Sequence, residues 1–476
     1  MAGSPPQRKT FDRSIIEGPI RPAVWRLAWP TMLQNIIAGL QGIIDHAMVG
    51  HFVGYTGNAA IGVSWQIIIV VIVFSTSVFT GMAILVARFA GANEPEKVNR
   101  VVYQSFLTAA GMAFVLGATG WMAAPSLLNL VNAAPVVHAE ALPFLRTMFV
   151  GIIGMMMFFM LGGAFRAAGD PHTPLRLGIA MTVLTILFNI VLIPAFGTVG
   201  AAYGTVASSS VVSIYGIWRL LRPESVIHFE PGMDRRPDFT VIRSLFKFGL
   251  PTGVQGIAMN VGGVLMLRFI GSLEQSAAAQ AAYTVGYAQL FSLITWTSVG
   301  LMGAAATIAG QNLGARNPER AIEGVRVASH IGLGVAAVVG MAFLLVPRYL
   351  LAGFGMTDVL VIDIGETLLR YLSVSGFFIT VALSYTGGLQ GSGDTRSPLI
   401  ISILSQVMVP IGICTVLGAT TGLTPEWVWT AILIGHITRC ALSVMRFRQQ
   451  KWRGIEVNLA PSKDEEIQNA KFKMQN

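Results

Sequence analysis

The chain of 476 residues is strongly apolar: 53% of its residues are hydrophobic, only 12% are charged, and its mean hydropathy is +0.65. Soluble domains carry about 25% charged residues, and apolar runs long enough to cross a membrane recur along this sequence. The net charge of +9 does not indicate a nucleic-acid partner, because the basic residues lie in short clusters between apolar runs. These features predict a polytopic membrane protein.

Apolar runs of about 20 residues predict twelve transmembrane helices. In chain order they are expected at 24–50, 59–86, 100–124, 143–165, 175–194, 199–221, 242–270, 278–305, 323–346, 366–389, 398–417 and 425–447. Lys and Arg concentrate in the tails and in the connections that follow even-numbered helices. By the positive-inside rule, this asymmetry predicts a multi-pass protein of the cell membrane with both termini in the cytoplasm.

The sequence also contains a tandem repeat. Residues 27–50 align without gaps on residues 248–271, and AGANEPE (90–96) and AAGDPHTPL (167–175) match LGARNPE (313–319) and GSGDTRSPL (391–399). Each copy holds six helices, an even number, so both copies enter the membrane from the same side. The repeat predicts an all-α integral membrane fold of two six-helix lobes, related by a pseudo-two-fold axis along the membrane normal.

The predicted domain organisation follows from this repeat. It consists of an N-terminal lobe (1–221), a cytoplasmic linker (222–241), a C-terminal lobe (242–448) and a cytoplasmic tail (449–476). The turns at Gly169-Asp170 and Gly393-Asp394 have the pattern of helix ends and starts, so we expect helix caps there rather than substrate contacts.

An acidic residue interrupts the first helix, in the run GLQGIIDHAMVG (39–50). Asp45 shares one helix face with Gln41 and Gln34, which makes a polar stripe. A buried carboxylate without a basic partner takes up and releases protons or binds Na⁺ through its oxygens. The alternative is a structural role, in which Asp45 caps helix 2 or pairs with a buried base. The second copy has Met266 at this position, and Pro30 makes helix 1 a candidate for bending.

Two facing lobes would enclose a substrate cavity near the membrane midplane. Flexible Met and flat aromatic side chains suit loosely specific binding of amphipathic cations. The candidates are Met155, Tyr283, Tyr287, Phe291 and Phe377. The alternative for each is that it faces lipid or the helix core.

The run LAWPTMLQNII…IIDHAMVG, the segment LFNIVLIPAFG…GAAYGTVAS, the loop IAGQNLGARNPERA and the turn LQGSGDTRSP together resemble the multidrug and toxic compound extrusion (MATE) family of cation-coupled antiporters. The resemblance covers essentially the whole chain and is closer to the DinF-like prokaryotic branch. It implies that Asp45 is the coupling acid, with bending of helix 1 at Pro30.

That branch also has an Asn on helix 5, an Asp four residues later, and a Thr on helix 6. Asn189 and Thr205 match this pattern, but the second acid is replaced by Ile193. Because Na⁺ needs several oxygen ligands and a proton needs one, the departure favours H⁺ as the coupling ion.

The function expected from the resemblance is export of amphipathic organic cations or drugs by alternating access. The expected partners are small-molecule substrates and the lipid bilayer, with the chain acting as a monomer. No cofactor beyond H⁺ or Na⁺, no metal centre and no nucleic acid is expected, and no enzyme-like nucleophile or metal pair is recognisable. Export of organic acids such as citrate, or flipping of a lipid-linked oligosaccharide, remain the alternatives.

Overall fold

The structure, a computed structural model, describes residues 11–131, 134–222, 225–229, 233–420, 422–457 and 459. The first half contributes α1 (Ile20–Phe52), α2 (Tyr55–Gly91), α3 (Pro95–Leu130), α4 (Pro135–Val150 and Ile152–Ala167), α5 (His172–Phe196) and α6 (Thr198–Leu220). The second half contributes α7 (Phe239–Gly271), α8 (Ser276–Gly314), α9 (Pro318–Leu345), α10 (Val359–Ser392), α11 (Arg396–Thr420) and α12 (Pro425–Arg448). Shorter helical segments lie at Ser14–Glu17, Pro347–Ala352 and Lys451–Gly454.

Each predicted apolar run is a helix. In the described part of the chain, nine helices are long and apolar enough to cross a membrane, and the two parts of α4 make a tenth span. The other two, α1 and α6, are less apolar because α1 carries Gln34, Gln41 and Asp45 and α6 carries the serine run 208–210. The described residues therefore include the twelve helices that the sequence predicts.

The tandem repeat is visible in the backbone. Asn93 and Arg316, at matching places in the two copies, both have φ of 59°, and Gly169 and Gly393 both have φ of 96°. A left-handed conformation is uncommon for residues with a side chain, so its recurrence at Arg316 shows that the two copies fold through the same turn.

Three helices depart from the simple runs that the sequence predicts. The two parts of α4 meet at an angle of 51° at Gly151, where a Cβ atom would lie 2.2 Å from Val206 on α6. The helices α8 and α11 contain π-helical segments, Thr284–Leu290 and Leu404–Met408. A hydropathy profile reveals neither the break nor the π-helical segments.

The aspartates of the two repeated turns cap helices, as predicted. Asp170 accepts hydrogen bonds from the backbone N–H of Thr173 at 3.1 Å and from its hydroxyl at 2.6 Å. Asp394 accepts from the N–H and hydroxyl of Ser397 at 3.2 and 2.8 Å, and from Arg446 Nε at 2.9 Å.

The two halves meet at one end of the bundle, which we call the terminal face because it carries the start of α1 and the end of α12. The backbones of α2 and α7 touch there: a Cβ atom at Gly81 would lie 2.1 Å from the Leu245 carbonyl oxygen, and one at Gly249 would lie 1.6 Å from the Ser77 carbonyl oxygen. In the opposite halves of α1, α2 and α7, Gly42, Gly62 and Gly263 have no such neighbour within 4 Å. The backbone contacts between α2 and α7 therefore lie at the terminal face, while farther along α1 a Cβ atom at Gly39 would lie 2.2 Å from Trp296 of α8.

Both terminal segments strengthen this contact. Arg88 at the end of α2 donates a hydrogen bond to the Ile455 carbonyl oxygen at 3.2 Å, and Trp452 is buried and stacked on Phe447 with ring centroids 4.9 Å apart. Near the N-terminus, Arg320 of α9 donates to the Ile15 carbonyl oxygen at 3.2 Å. Each terminal segment thus joins one half to the other.

Candidate functional site

Asp45 lies on α1 and is half-buried. Asn189 of α5 donates a hydrogen bond from Nδ2 to Asp45 Oδ1 at 2.9 Å. Gln41, one turn before Asp45, also approaches the carboxylate. No ion pair of Asp45 occurs among the described residues, so the partners that it has are neutral amides.

The polar stripe of α1 faces into the first half. Thr182 of α5 donates to Gln41 Oε1 at 2.9 Å. The Gln34 side chain lies between α4 and α5, 3.3 Å from the Cβ position of Gly178 and 4.0 Å from that of Gly162. The stripe is therefore held by α4 and α5 rather than by lipid.

Asn189 is fully buried and holds Asp45 from a tightly fitted position. Its side-chain oxygen, Oδ1, has no hydrogen-bond partner and would lie 2.0 Å from a Cβ atom at Gly204 on α6. Glycine at position 204 therefore leaves the room that the Asn189 amide occupies.

The family resemblance also draws attention to Thr205 and Ile193, which lie near Asn189 in the sequence but do not form a hydrogen bond with Asp45. Thr205 is buried and donates to the carbonyl oxygen of Ala201 on its own helix at 3.1 Å. Ile193, one turn beyond Asn189, is buried and supplies no oxygen ligand from its side chain. His46 faces α2, where its Nδ1 lies 3.2 Å from Asn58 Oδ1.

The candidate hinge is part of a continuous helix. α1 runs through Pro30 without a break, although a proline removes one backbone donor from the helix. The Thr31 hydroxyl donates to the Leu27 carbonyl oxygen at 2.7 Å, and Asn35 donates to the Thr31 carbonyl oxygen at 3.0 Å. These side-chain bonds occupy backbone acceptors beside the proline.

The candidate cavity residues are not brought together in one place. Met155 is buried in the core of the first half. Tyr283, Tyr287 and Phe291 pack inside the second half, where the two tyrosine rings stack with centroids 4.9 Å apart. Phe377 on α10 is 38% exposed and is the most exposed of the five.

Two ionisable residues on α12 were not predicted from the sequence. His436 and Arg439 are each only 2% exposed, yet both lie in the middle of a span. The signal was available as a single Arg in the run AILIGHITRC (431–440). An intramembrane ionisable residue is by default a functional candidate.

The arrangement around Asp45 has a definite chemical capacity. A carboxylate that is held by amide groups and lacks a fixed cation can bind a proton or a metal cation of low charge, and its occupancy changes the charge of α1 by one unit. The contacts to Asn189 and Gln41 orient the group without neutralising it.

Comparison with known proteins agrees with this architecture. The MatE family model matches residues 30–191 and 251–416, one segment in each half. The probable multidrug resistance protein NorM of Thermotoga maritima is 24% identical over 441 residues, which cover 91% of this chain and 93% of that protein. The multidrug export protein MepA of Staphylococcus aureus is 21% identical over 431 residues, which cover 90% and 93%.

A solved structure described as the outward-facing conformation of a multidrug resistance MATE family transporter of the MOP superfamily has the same fold. Its TM-score is 0.87 at 20% identity, and the match covers 94% of this chain and 100% of that one. This match, together with the twelve observed helices, confirms the all-α fold of two six-helix lobes. Because the family model spans more than half of the sequence, the chain belongs to the MatE family, the multidrug and toxic compound extrusion transporters.

Proposed function

We propose that this protein is a cation-coupled antiporter that exports amphipathic organic cations, drugs among them, from the cytoplasm by alternating access. The observation that carries the proposal is the carboxylate of Asp45, which lies in a membrane-spanning helix and is held by the neutral amide of Asn189. Membership of the MatE family and the names of the multidrug relatives support the same activity.

The coupling ion that we propose is H⁺. A proton needs one oxygen, whereas hard metal cations collect several oxygen ligands. Asp45 has amide oxygens near it, but Thr205 bonds its own helix and Ile193 is apolar where the related branch has an acid. The site therefore offers fewer oxygens than a Na⁺ site of that branch.

We propose that the protein lies in the plasma membrane with its terminal face toward the cytoplasm, in agreement with the positive-inside rule. This orientation sets the proposed direction of transport. Packing of α2 on α7 at the terminal face then corresponds to a state closed to the cytoplasm. Protonation of Asp45 from outside favours substrate release, and bending of α1 near Pro30 links the two events. One charge that moves inward across ~100 mV contributes roughly 2.3 kcal/mol.

The test is efflux of a fluorescent lipophilic cation from proteoliposomes, with pH and Na⁺ gradients imposed separately. The wild type is expected to respond to the pH gradient, Asp45→Asn to lose the response, and Asp45→Glu to keep part of it. Glu94→Gln is the matched control, because Glu94 is an acid of the same half that lies at the surface and pairs with Lys97 at 3.2 Å.

Transport by Asp45→Asn equal to that of the wild type under both gradients would refute the coupling site. Wild-type transport that follows only the Na⁺ gradient would refute H⁺ as the ion but leave antiport intact. A second candidate function, export of organic acids, is favoured by one observation, the buried guanidinium of Arg439 in the second half. Uptake assays with radiolabelled citrate distinguish the two.

A further inference from the structure

A buried positive charge lies inside the second half of the protein. Arg439 on α12 is 2% exposed, and its Nε atom has no hydrogen-bond partner. In the described residues Arg439 forms neither an ion pair nor a hydrogen bond. A buried charge is normally paired, because leaving it alone in a medium of low dielectric constant is costly.

Other polar side chains without a hydrogen-bond partner lie at a similar depth in the bundle. Helical side chains tilt toward the N-terminus of their helix, so the Arg439 side chain extends toward Gly435 and His436. The Gln406 amide nitrogen lies 3.6 Å from the Cβ position of Gly435. Gln406 Nε2 and His436 Nδ1 are both buried without a partner, which with Arg439 Nε makes three unsatisfied nitrogen atoms.

Aromatic rings close one side of this cluster. His436 stacks with Phe291 at a centroid distance of 5.8 Å and with Tyr287 at 6.4 Å. Tyr287 in turn stacks on Tyr283, and Tyr283 on Trp429 at 6.1 Å. These rings pack around His436 and supply no negative charge.

The backbone is irregular at the same place. The described chain contains two π-helical segments: the one in α8 holds Tyr287, and the one in α11 holds Gln406. π-Helical segments inside α-helices occur frequently at functional sites. Here the two segments flank Arg439 from two different helices.

In the part of the chain that the structure describes, no acidic side chain of the second half lies at the depth of Arg439. The described acids from position 234 onward all lie in connections, in the segment after α12 or in the first few turns of a helix: Asp234, Asp238, Glu274, Glu319, Glu323, Asp358, Asp363, Glu366, Asp394, Glu426 and Glu456. The membrane-embedded acid of the first half, Asp45, is bonded to Asn189 on α5. Arg439 therefore has no counter-charge among the described residues, and an anion from outside the chain can supply one.

We propose that Arg439, Gln406 and His436 form a binding site for a small anion in the second half of the protein. The anion accepts hydrogen bonds from the guanidinium and from the Gln406 amide, and the aromatic rings around His436 confine it. The ligand is a compact negative charge, either chloride or the carboxylate group of a small organic acid. The site does not depend on the proposed coupling at Asp45, which lies in the other half.

The test is thermal unfolding of the purified full-length chain in detergent, at constant ionic strength with gluconate as the background anion. Chloride and acetate are titrated separately. For the wild type, the unfolding midpoint is expected to rise in a saturable way with at least one of them. Saturation by chloride alone identifies a halide site, and saturation by acetate as well identifies a carboxylate site.

Three variants test the assignment. Arg439→Gln is expected to lose the anion-dependent shift, while Arg448→Gln, an exposed arginine at the end of the same helix, keeps it. Gln406→Leu retains the charge but removes one donor, so it is expected to raise the dissociation constant about two- to tenfold. Gln406→Leu also serves if Arg439→Gln does not fold.

A flat wild-type response to both anions would overturn the proposal. It would be overturned equally by an unchanged shift in Arg439→Gln, or by an unchanged dissociation constant in Gln406→Leu. None of these readouts requires transport, so a failure of the anion site and a failure of the antiport mechanism are distinguishable.

Discussion

The contact between α2 and α7 at the terminal face allows a direct test of alternating access. A Cβ atom at Gly249 would lie 1.6 Å from the Ser77 carbonyl oxygen, while ordinary contact begins at 3.4 Å. In Gly249→Ala the two backbones must therefore separate by about 1.8 Å at this point, since neither can yield as a flexible side chain would. Overpacking of this kind costs roughly 1–3 kcal/mol.

Because that cost falls on the state with the terminal face closed, it shifts the equilibrium toward any state in which the halves part there. A cost of roughly 1–3 kcal/mol corresponds to a population change of about 5- to 150-fold. Gly263→Ala on the same helix is the matched control, because a Cβ atom there meets nothing within 4 Å. The control should leave the equilibrium where it is.

The assay is pulsed electron–electron double resonance, which measures the distance between spin labels at Glu96 and Arg396. Both positions are exposed and lie at helix starts in opposite halves. Cys414 and Cys440 are first replaced by serine. Gly249→Ala is expected to add or enlarge a population of longer distances, and Gly263→Ala to reproduce the parent distribution. If Gly249→Ala lowered thermal stability but left the distances unchanged, the terminal face would not be a gate, and the contact would be a permanent one.

Two further predictions concern the Asp45 site and the start of α7. Gly204→Ala would push a methyl group into the space of Asn189 Oδ1 and displace the amide from Asp45. It should reduce pH-driven efflux without altering any polar side chain, while Gly412→Ala, which has open space, should not. Equal efflux in both variants would show that the Asn189 contact is dispensable. Asp238 caps α7 by accepting from the Thr240 and Val241 N–H groups and pairs with Arg100, whose Nε lies 2.9 Å away. Partial burial acts to raise the pKa of Asp238, but the Arg100 hydrogen bond and the two backbone N–H groups together hold it below its ordinary value. A depressed carboxyl pKa stabilises the fold above the unfolded value of about 3.9, so Asp238→Asn should lower stability by about 1 kcal/mol at pH 7. That difference should shrink as pH falls below about 4; a difference that stays constant down to pH 3 in detergent unfolding would contradict the ion pair.

The architecture was predictable because it rests on simple periodic signals. Apolar runs set the number of helices, and the repeated turns at Asp170 and Asp394 set where helices end and begin. The break of α4 at Gly151 was not predictable in this way. Gly151 leaves room for Val206, which belongs to another helix and leaves no local pattern in the sequence of α4.

The site was only partly predictable. The polar stripe on α1 followed from helical spacing, and the resemblance to the family pointed to Asn189, which does bond Asp45. The resemblance also pointed to Thr205, whose hydroxyl turns back to Ala201. The resemblance predicts which type of side chain occupies a position, but its rotamer is decided by competition between the nearby hydrogen-bond acceptors.

Arg439 was missed for a different reason. Basic residues near the end of a last helix are usually cytoplasmic, and positive-inside reasoning treats them as a group. Arg439 precedes Arg446 and Arg448 by about two turns, which places it inside the bundle rather than at its surface. The π-helical segments of α8 and α11 leave no trace in a hydropathy profile.

The divergence of the two repeats bears on mechanism. The duplication has kept the residues that hold the frame: Gln255, the counterpart of Gln34, still bonds within its own half, to Ser402 at 2.7 Å. It has not kept the carboxylate, because the counterpart of Asp45 is Met266, a buried packing residue. For an antiporter of the proposed kind, one coupling site is sufficient. Rocking is a relative motion of two halves, so an ion that changes the preferred shape of one half shifts the equilibrium of both. A second acid at the Met266 position would add a charge to be desolvated in the membrane and would change the number of ions exchanged per substrate.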